Sequence, residues 1–123
     1  MAKRFKKRAS LEEILQSTSF ALWPSQDGAA IISIDTVGCD GDRPLHVLAH
    51  RQDLYSCRVL LESGADPNLQ GDIGYTPLHY AVMAQNRELT DLLLEFGART
   101  DIASEFDETP ASISEDRGFR LAR

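Results

Sequence analysis

Three prolines recur at one constant interval along the chain, at Pro44, Pro77 and Pro110. The residues around them repeat as well, because a Leu-His pair follows each of the first two prolines. Gly64 and Gly97 keep the same interval and stand where a helix would end with a positive φ. Self-similarity at a period of about 20 to 50 residues is typical of architectures that stack one small unit on the next. The repeat interval therefore predicts a solenoid rather than a single closed core.

Each repeating unit carries two candidate helices. In the second unit Thr76 suits the N-cap, and Pro77 suits the first helical position, where no backbone amide is needed. Leu78, Ala81 and Val82 come next at helical spacing and predict a buried stripe. The other apolar positions at helical spacing are Leu89, Leu92, Leu93 and Phe96 in the second unit and Leu45, Leu48, Ala49, Leu54, Cys57, Leu60 and Leu61 in the first.

The repeat interval, a period of about 33 residues, and the Thr-Pro-Leu-His sequence at 76–79 resemble the ankyrin repeat. Arg-Pro-Leu-His at 43–46 and Thr-Pro-Ala-Ser at 109–112 are two more divergent copies of that sequence. The resemblance implies an all-α ankyrin-repeat solenoid of helix-turn-helix units, with short β-hairpin fingers and a divergent N-terminal cap. It also implies that His46 and His79 link the turn of one repeat to its neighbour through hydrogen bonds.

The residues before the first repeat depart from the period. Ser10 and Glu13 form a capping-box pattern, which predicts a short helix at about 10–17 in the place of a preceding unit's first helix. A proline and an Asp-Gly pair interrupt the next segment, so that 20–23 and 29–34 favour a small β-hairpin or two extended segments. We therefore expect a flexible basic arm at 1–9, a divergent capping helix and extended segment at 10–37, and ankyrin repeats at 38–123, divided into 38–70, 71–103 and a truncated 104–123.

Charge is distributed unevenly along the chain. Residues 1–8 hold five of the 13 basic residues and none of the 19 acidic ones, so the rest of the chain is strongly acidic. Such a surface repels nucleic acid and favours basic protein partners, especially at low salt. An acidic surface also serves solubility alone, and that alternative stays open.

No segment of the sequence suggests a membrane span, a secretion signal or a cofactor site. No apolar run approaches about 18 residues, and acidic residues come after the basic arm where a signal peptide would have its apolar stretch. Cys39 and Cys57 lack metal-ligand spacing and make a poor disulfide framework, which favours the cytoplasm. His46 and His50 have the spacing of two ligands on one helix face, but no third ligand joins them. With no phosphate loop and no nucleophile elbow, we expect no cofactor, no metal and no enzymatic activity.

Residues that the repeat pattern does not require are the candidates for binding a partner. The resemblance implies that partners contact the fingers and the exposed face of the first helices. Acidic residues around aromatic and aliphatic ones are typical of the centre and rim of a protein interface. Turn chemistry alone would explain the aspartates but not the apolar members. The candidate partner-binding residues are Cys39, Asp40, Asp42, His50, Arg51, Asp72, Ile73, Tyr75, Met83, Glu105, Phe106, Glu108, Asp116 and Arg117.

The leading hypothesis is a stand-alone, non-catalytic binding protein that is monomeric in isolation. Short single-domain ankyrin proteins of bacteria include immunity proteins that neutralise toxins, and this compact, acidic chain resembles that type. Its acidic fingers and concave helix face would then cover a basic site on the toxin and block access of substrate. Two alternatives remain: an adaptor or regulatory subunit of a larger complex, and a self-assembling structural repeat protein. Segment 18–37 is a second candidate contact surface.

Overall fold

The computed structural model describes residues 9–24 and 32–121. Seven α-helices and no strand lie in these two ranges. The predicted basic arm falls, apart from its last residue, outside the described residues. The helices are α1 Leu11–Ser17, α2 Ser19–Leu22, α3 Pro44–His50, α4 Leu54–Glu62, α5 Pro77–Met83, α6 Arg87–Glu95 and α7 Pro110–Arg117.

The helices form the two layers of a short solenoid. α3, α5 and α7 pack side by side as the first helices of successive repeats, and α4 packs against α6 in the second layer. A proline occupies the first turn of all three first helices, as the sequence predicts. The expected all-α ankyrin solenoid is therefore confirmed.

The core follows the predicted stripes with one exception. Leu60, Leu78 and Leu93 are completely buried, as expected for residues at the helical spacing of a buried face. Phe96 is 36% exposed. The reason is that α6 ends one residue before it. The assignment of Phe96 to the buried face is therefore wrong.

A left-handed residue follows the first helix of each repeat by one or two positions. Gln52, Gln85 and Gly118 stand one repeat interval apart and have φ angles of 61°, 54° and 64°. In the first two repeats the next helix begins directly after this turn, and its N-cap side chain accepts a backbone amide. Asp53 accepts from Ser56 N at 3.1 Å, and Asn86 does the same for its own helix. This short turn sets the antiparallel packing of each helix pair.

A compact turn precedes each first helix; we call these turns the first finger (38–42), the second finger (71–75) and the third finger (104–108). One hydrogen bond from the first to the fifth residue closes each finger, with N–O distances of 2.6, 2.8 and 2.8 Å. A helix begins directly after the residue that follows each finger, which leaves no room for paired strands. The fingers implied by the resemblance are present, but they are tight turns rather than β-hairpins with a strand ladder.

Backbone amides join each finger to the structure before it. The second residue of every finger donates its N–H backwards along the solenoid. Because the three donors keep the repeat interval, their bonds stack the fingers in register. The bonds are Cys39 N to Leu22 O (2.9 Å), Asp72 N to Asp42 Oδ1 (2.8 Å) and Glu105 N to Ile73 O (2.8 Å).

Two buried histidines hydrogen-bond to backbone carbonyls just before or within the next finger. Nδ1 of His46 accepts from Arg43 N at 2.9 Å, and its Nε2 lies 2.7 Å from Leu69 O before the second finger. His79 repeats the arrangement, since its Nδ1 accepts from Thr76 N and its Nε2 lies 2.9 Å from Glu108 O in the third finger. The prediction of a structural role for both histidines is confirmed.

The N-terminal segment differs from the sequence expectation in two respects. The capping box of Ser10 and Glu13 is present and starts α1. However, α1 packs against the second helix α4, whereas α2 packs against the first helix α3, so α1 does not take the place of a first helix. Residues 19–22 are helical rather than extended, because the buried positions Leu15, Thr18, Ser19 and Leu22 follow helical spacing. The Asp-Gly turn and residues 29–31 of the predicted hairpin lie outside the described residues.

Candidate functional site

A groove of about 400 Å³ lies between the first two fingers and the helices beside them. We call it the first groove. It brings together six of the predicted partner-binding residues, which come from two fingers and from the helix α3. Its described lining consists of Asp40, Asp42 and Asp72 with Ile73 and Tyr75 from the fingers, His50 and Val47 from α3, Tyr80 from α5, and Ala21 from α2.

Aromatic rings form one side of the first groove. The ring centroids of Tyr75 and Tyr80 are 5.4 Å apart with an edge-to-face angle of 73°. His50 meets Tyr80 in a second edge-to-face contact at 5.1 Å. Such pairs fix the ring orientations relative to one another. Burial, with the nearby Asp42 and Asp72, raises the pKa of the Tyr80 phenol, so this ring is uncharged at neutral pH.

Three aspartates stand in the fingers beside these rings. Asp42 has a structural role, because its Oδ1 accepts the amide of Asp72 at 2.8 Å and so joins the two fingers. It therefore does not act as the N-cap of α3, where Arg43 stands instead. Burial raises the pKa of Asp42, and the charges of Asp40 and Asp72 raise it further, against the opposing effect of the Asp72 amide and of His46.

Ile73 has an unusual backbone conformation at the tip of the second finger. Its φ is 61° and its ψ is 12°, the left-handed region that a β-branched residue seldom occupies. The side chain is half-buried and lines the first groove. Strained positions of this kind concentrate at functional sites.

A second, smaller groove of about 160 Å³ lies between α5 and α7. It contains Met83, Glu108, Asp116 and Arg117 from the predicted set, together with Ile113. Nη1 of Arg117 donates to Met83 O at 2.9 Å, the last residue of α5. This hydrogen bond places the positive charge of Arg117 at the C-terminal end of α5, where the helix dipole favours it.

Four predicted residues line neither groove. Arg51 makes a similar contact two repeat intervals earlier, because its Nη2 donates to Ser17 O at 3.3 Å at the end of α1. Cys39 and Glu105 are exposed, and their backbone amides join the fingers. Phe106 stands at the tip of the third finger with 65% of its surface exposed.

Three lining residues of the first groove were missed by sequence reasoning. Val47 and Tyr80 both lie three residues after the proline of their repeat, a position that has no role in the predicted frame. Extending the comparison of repeats to this position would find them. Ala21 gives no such signal, because it reaches the groove only through the helical conformation of α2.

His46 and Cys57 are structural residues. Both ring nitrogens of His46 are engaged in hydrogen bonds, and no group of three or more His, Cys, Asp or Glu residues in the described ranges is arranged to hold a metal ion. Burial raises the pKa of the Cys57 thiol to about 12, and the charge of Asp53 adds to this effect. Cys57 is therefore a protonated core residue rather than a nucleophile.

Within 9–24 and 32–121, none of the helices combines the length and the apolar character that crossing a membrane requires.

Comparison with known proteins gives a consistent family. Residues 45–94 match the family described as ankyrin repeats (many copies). These residues extend from α3 through α6 and include most of the first groove. Several curated proteins from animals and from a virus are similar to a larger part of the chain.

Three of these relatives show the range of proteins in which such repeats occur. The chain is 40% identical over 92 residues to human neurogenic locus notch homolog protein 4, which covers 74% of the chain and 4% of that protein. It is 35% identical over 80 residues to human ankyrin repeat and SOCS box protein 16 (64% of the chain, 18% of that protein). It is 39% identical over 82 residues to ankyrin repeat and LEM domain-containing protein 1 homolog of Caenorhabditis elegans (64% and 12%). The chain thus spans less than a fifth of the length of these relatives.

Proposed function

This chain is an ankyrin repeat protein, and we propose that it acts in the cytoplasm as a non-catalytic module that binds a basic partner protein through the first groove. Ankyrin repeats indicate protein-protein interaction. The observation that carries the more specific proposal is the first groove itself, where three aspartates stand beside two tyrosines and a strained isoleucine.

The physical properties of the groove suit an interface. Tyrosine rings supply large contact area at a low cost in conformational entropy, and they are enriched at the energetic centre of interfaces. Carboxylates around such a centre speed the encounter with a basic partner and disfavour acidic ones. The rigid connections between fingers hold these groups in place before binding, which reduces the entropy lost in the complex.

We further propose that binding neutralises the partner, in the manner of an immunity protein that covers a basic active site of a toxin. The support for this step is the acidic character of the fingers and of the chain beyond residue 8. A protein that binds nucleic acid or another anion needs a basic surface, and an acidic groove competes for that surface directly.

The test compares two charge reversals of the same size. Asp40→Lys with Asp72→Lys changes the first groove, and Glu62→Lys with Glu95→Lys changes exposed positions on the second helices α4 and α6. Each variant and the unchanged protein are used to co-purify partners from the native host at about 50 and about 300 mM salt. We expect a basic partner that the groove variant loses, that the control variant retains, and that high salt weakens. Equal capture by all three proteins at both salt concentrations would sink the proposal.

A second candidate function is supported by the relatives. The names of two of them combine ankyrin repeats with a second named domain, and the matched repeats form a small part of each chain. We infer from this that an adaptor or regulatory role in a larger assembly is the main alternative. In that case binding should depend on Tyr75, Ile73 and Phe106 and should change little with salt.

A further inference from the structure

We propose that the first groove takes one arginine side chain of the partner, with the guanidinium between the carboxylates of Asp40 and Asp72 and against the rings of Tyr75 and Tyr80. This inference rests on the proposed function and names the chemistry that the groove recognises. Its basis is the charge, the ring geometry and the size of the groove.

The carboxylates of the groove have no cationic partner within the described part of the chain. The ion pairs among the described residues are Arg87–Asp91 and Arg99–Asp101, both outside the groove. No lysine or arginine is among the described lining residues. Three carboxylates that lie close together repel one another, so a bound cation would relieve that repulsion as well as gain its own attraction.

The three aspartates are not equivalent in this respect. One oxygen of Asp42 is already occupied by the amide of Asp72, and Asp42 is half-buried. The side chain of Asp72 makes no such inter-finger bond, and Asp40 is exposed at the tip of the first finger, where it accepts the amide of Asp42. Asp40 and Asp72 are therefore the carboxylates available to a ligand, whereas Asp42 holds the two fingers at their distance.

The aromatic side of the groove distinguishes arginine from lysine. A guanidinium is planar, stacks on aromatic faces and presents several N–H donors in one plane, whereas an ammonium is a compact and strongly hydrated charge. Tyr75 and Tyr80 both line the groove, with their ring planes at 73° to one another. Ile73 and Val47 provide apolar surface for the methylene groups of the ligand.

The size of the groove also fits a single inserted side chain. Its volume of about 400 Å³ lies near the lower end of the range of about 300–1,000 Å³ found for ligand sites. The second groove lacks these properties, because it is smaller, contains Arg117 and has Ile113 in place of Tyr80. It provides an internal comparison on the same molecule.

The experiment titrates the full chain with N-acetyl-arginine methylamide and records ¹H–¹⁵N spectra. The matched probes are the citrulline analogue, which has the same shape without the charge, and the lysine analogue. We expect saturable shifts of the amides of Asp72, Ile73 and Tyr75 with the arginine probe, smaller shifts with lysine and none with citrulline. The amides around the second groove should not move.

Two groove variants and one control sharpen the result. Tyr75→Leu and Asp72→Asn should each weaken arginine binding by about threefold or more, since each removes one contact to the cation. Asp116→Asn changes the charge of the second groove by the same amount and should have no effect. Circular dichroism confirms that each variant is folded, and the two groove variants alter different contacts, so misfolding of one leaves the other decisive.

Three results would overturn the inference: no saturable shift in the first groove, equal shifts with citrulline, or equal shifts spread over the whole acidic surface. These results differ from a failure of the proposed function. If the charge reversal removes partner binding but arginine does not bind, the groove is the interface and the arginine inference is wrong. If arginine binds but the charge reversal leaves partner binding intact, the proposed function is wrong.

Discussion

The two grooves occupy the same place in successive repeats but differ in chemistry. His50, Tyr75 and Tyr80 of the first groove correspond, one repeat later, to Met83, Glu108 and Ile113 of the second. The first groove is acidic and aromatic with a volume of about 400 Å³. The second is smaller and contains the guanidinium of Arg117, which is hydrogen-bonded to Met83 O. Equivalent backbone positions therefore carry different side chains.

The comparison separates the residues that the fold requires from those that are free to differ and to contact a partner. Three features keep the repeat interval along the solenoid and so set the geometry of both grooves alike. They are the finger closures, the left-handed turns, and the bonds from Arg43 N and Thr76 N to the Nδ1 atoms of the histidines. Most groove residues vary from repeat to repeat because no such bond depends on their side chains. Changes in the shared framework should affect both grooves equally, and changes in the lining should affect only one.

The largest effect is expected from truncating the shared core. Leu60 in α4 and Leu93 in α6 are both completely buried and occupy the same position of successive repeats. Leu60→Ala and Leu93→Ala should each lower the free energy of unfolding by about 2–5 kcal/mol, measured by urea denaturation. That loss is a large part of the roughly 5–15 kcal/mol available to a small domain.

The exposed neighbours Glu62 and Glu95 supply the controls for this comparison. Their alanine variants should change the unfolding free energy by less than about 0.5 kcal/mol. Buried leucines differ from one another by up to about 2 kcal/mol when truncated to alanine. If the losses of unfolding free energy in Leu60→Ala and Leu93→Ala differed by more than this, the two repeats would not share one framework.

A smaller effect is expected from the two histidines, and it should be local. His46→Leu leaves Leu69 O and Arg43 N without partners. His79→Leu leaves Thr76 N without a partner and removes one of two donors to Glu108 O, which still accepts from Ser104 N. Each loss should lower the unfolding free energy by about 1–3 kcal/mol. Amide hydrogen exchange should accelerate in the second finger for the first variant and in the third finger for the second variant. Equal acceleration in both fingers for either variant would contradict a local role.

The framework could be predicted from the sequence because it repeats. The helix starts at Pro44, Pro77 and Pro110 and most of the core are visible in one alignment of the chain with itself. The roles of the histidines came from the resemblance to the ankyrin repeat. A residue that returns at the same interval can be recognised without knowledge of the structure. The prediction failed at Phe96, because helical spacing does not show that α6 ends one residue earlier.

The rest could not be predicted, because it depends on contacts that do not repeat. Segment 19–22 has residues of both helical and extended preference, and its helix is fixed by the packing of α2 on α3. Asp42 looks like a finger-tip carboxylate in the sequence, yet it accepts an amide of the next finger. The predicted partner-binding residues stay a prediction, although the structure places ten of the 14 around one groove or the other.

His46 and His79 also predict how the stability of the protein depends on pH. Burial lowers the pKa of His46 and His79 from 6.5, against the raising effect of their bonds to Leu69 and Glu108 and of Asp40, Asp42 and Glu108 nearby. Below about pH 6.5 the unfolded chain takes up protons that the folded chain does not. The unfolding free energy should therefore have its highest value above that pH and should fall as the pH decreases below it.

Urea denaturation between pH 7.5 and 5.0 measures this decline, which cannot exceed about 1.4 kcal/mol per pH unit for each histidine. The double variant His46→Gln with His79→Gln should remove most of the slope. A slope that persists in the double variant would assign the pH dependence to other groups.

The smallest change in stability is expected at Ile73, where the first groove departs most from an ordinary backbone. Ile73→Gly removes a half-buried side chain but also the cost of a left-handed β-branched residue, about 1–2 kcal/mol. The two effects offset, so the unfolding free energy should change by less than about 1 kcal/mol. Ile102→Gly removes an isoleucine that is also half-buried but has no positive φ, and it should cost more. Binding of the arginine probe should weaken only in Ile73→Gly. If Ile73→Gly were the more destabilising of the two, the packing of the Ile73 side chain would outweigh the cost of its left-handed backbone.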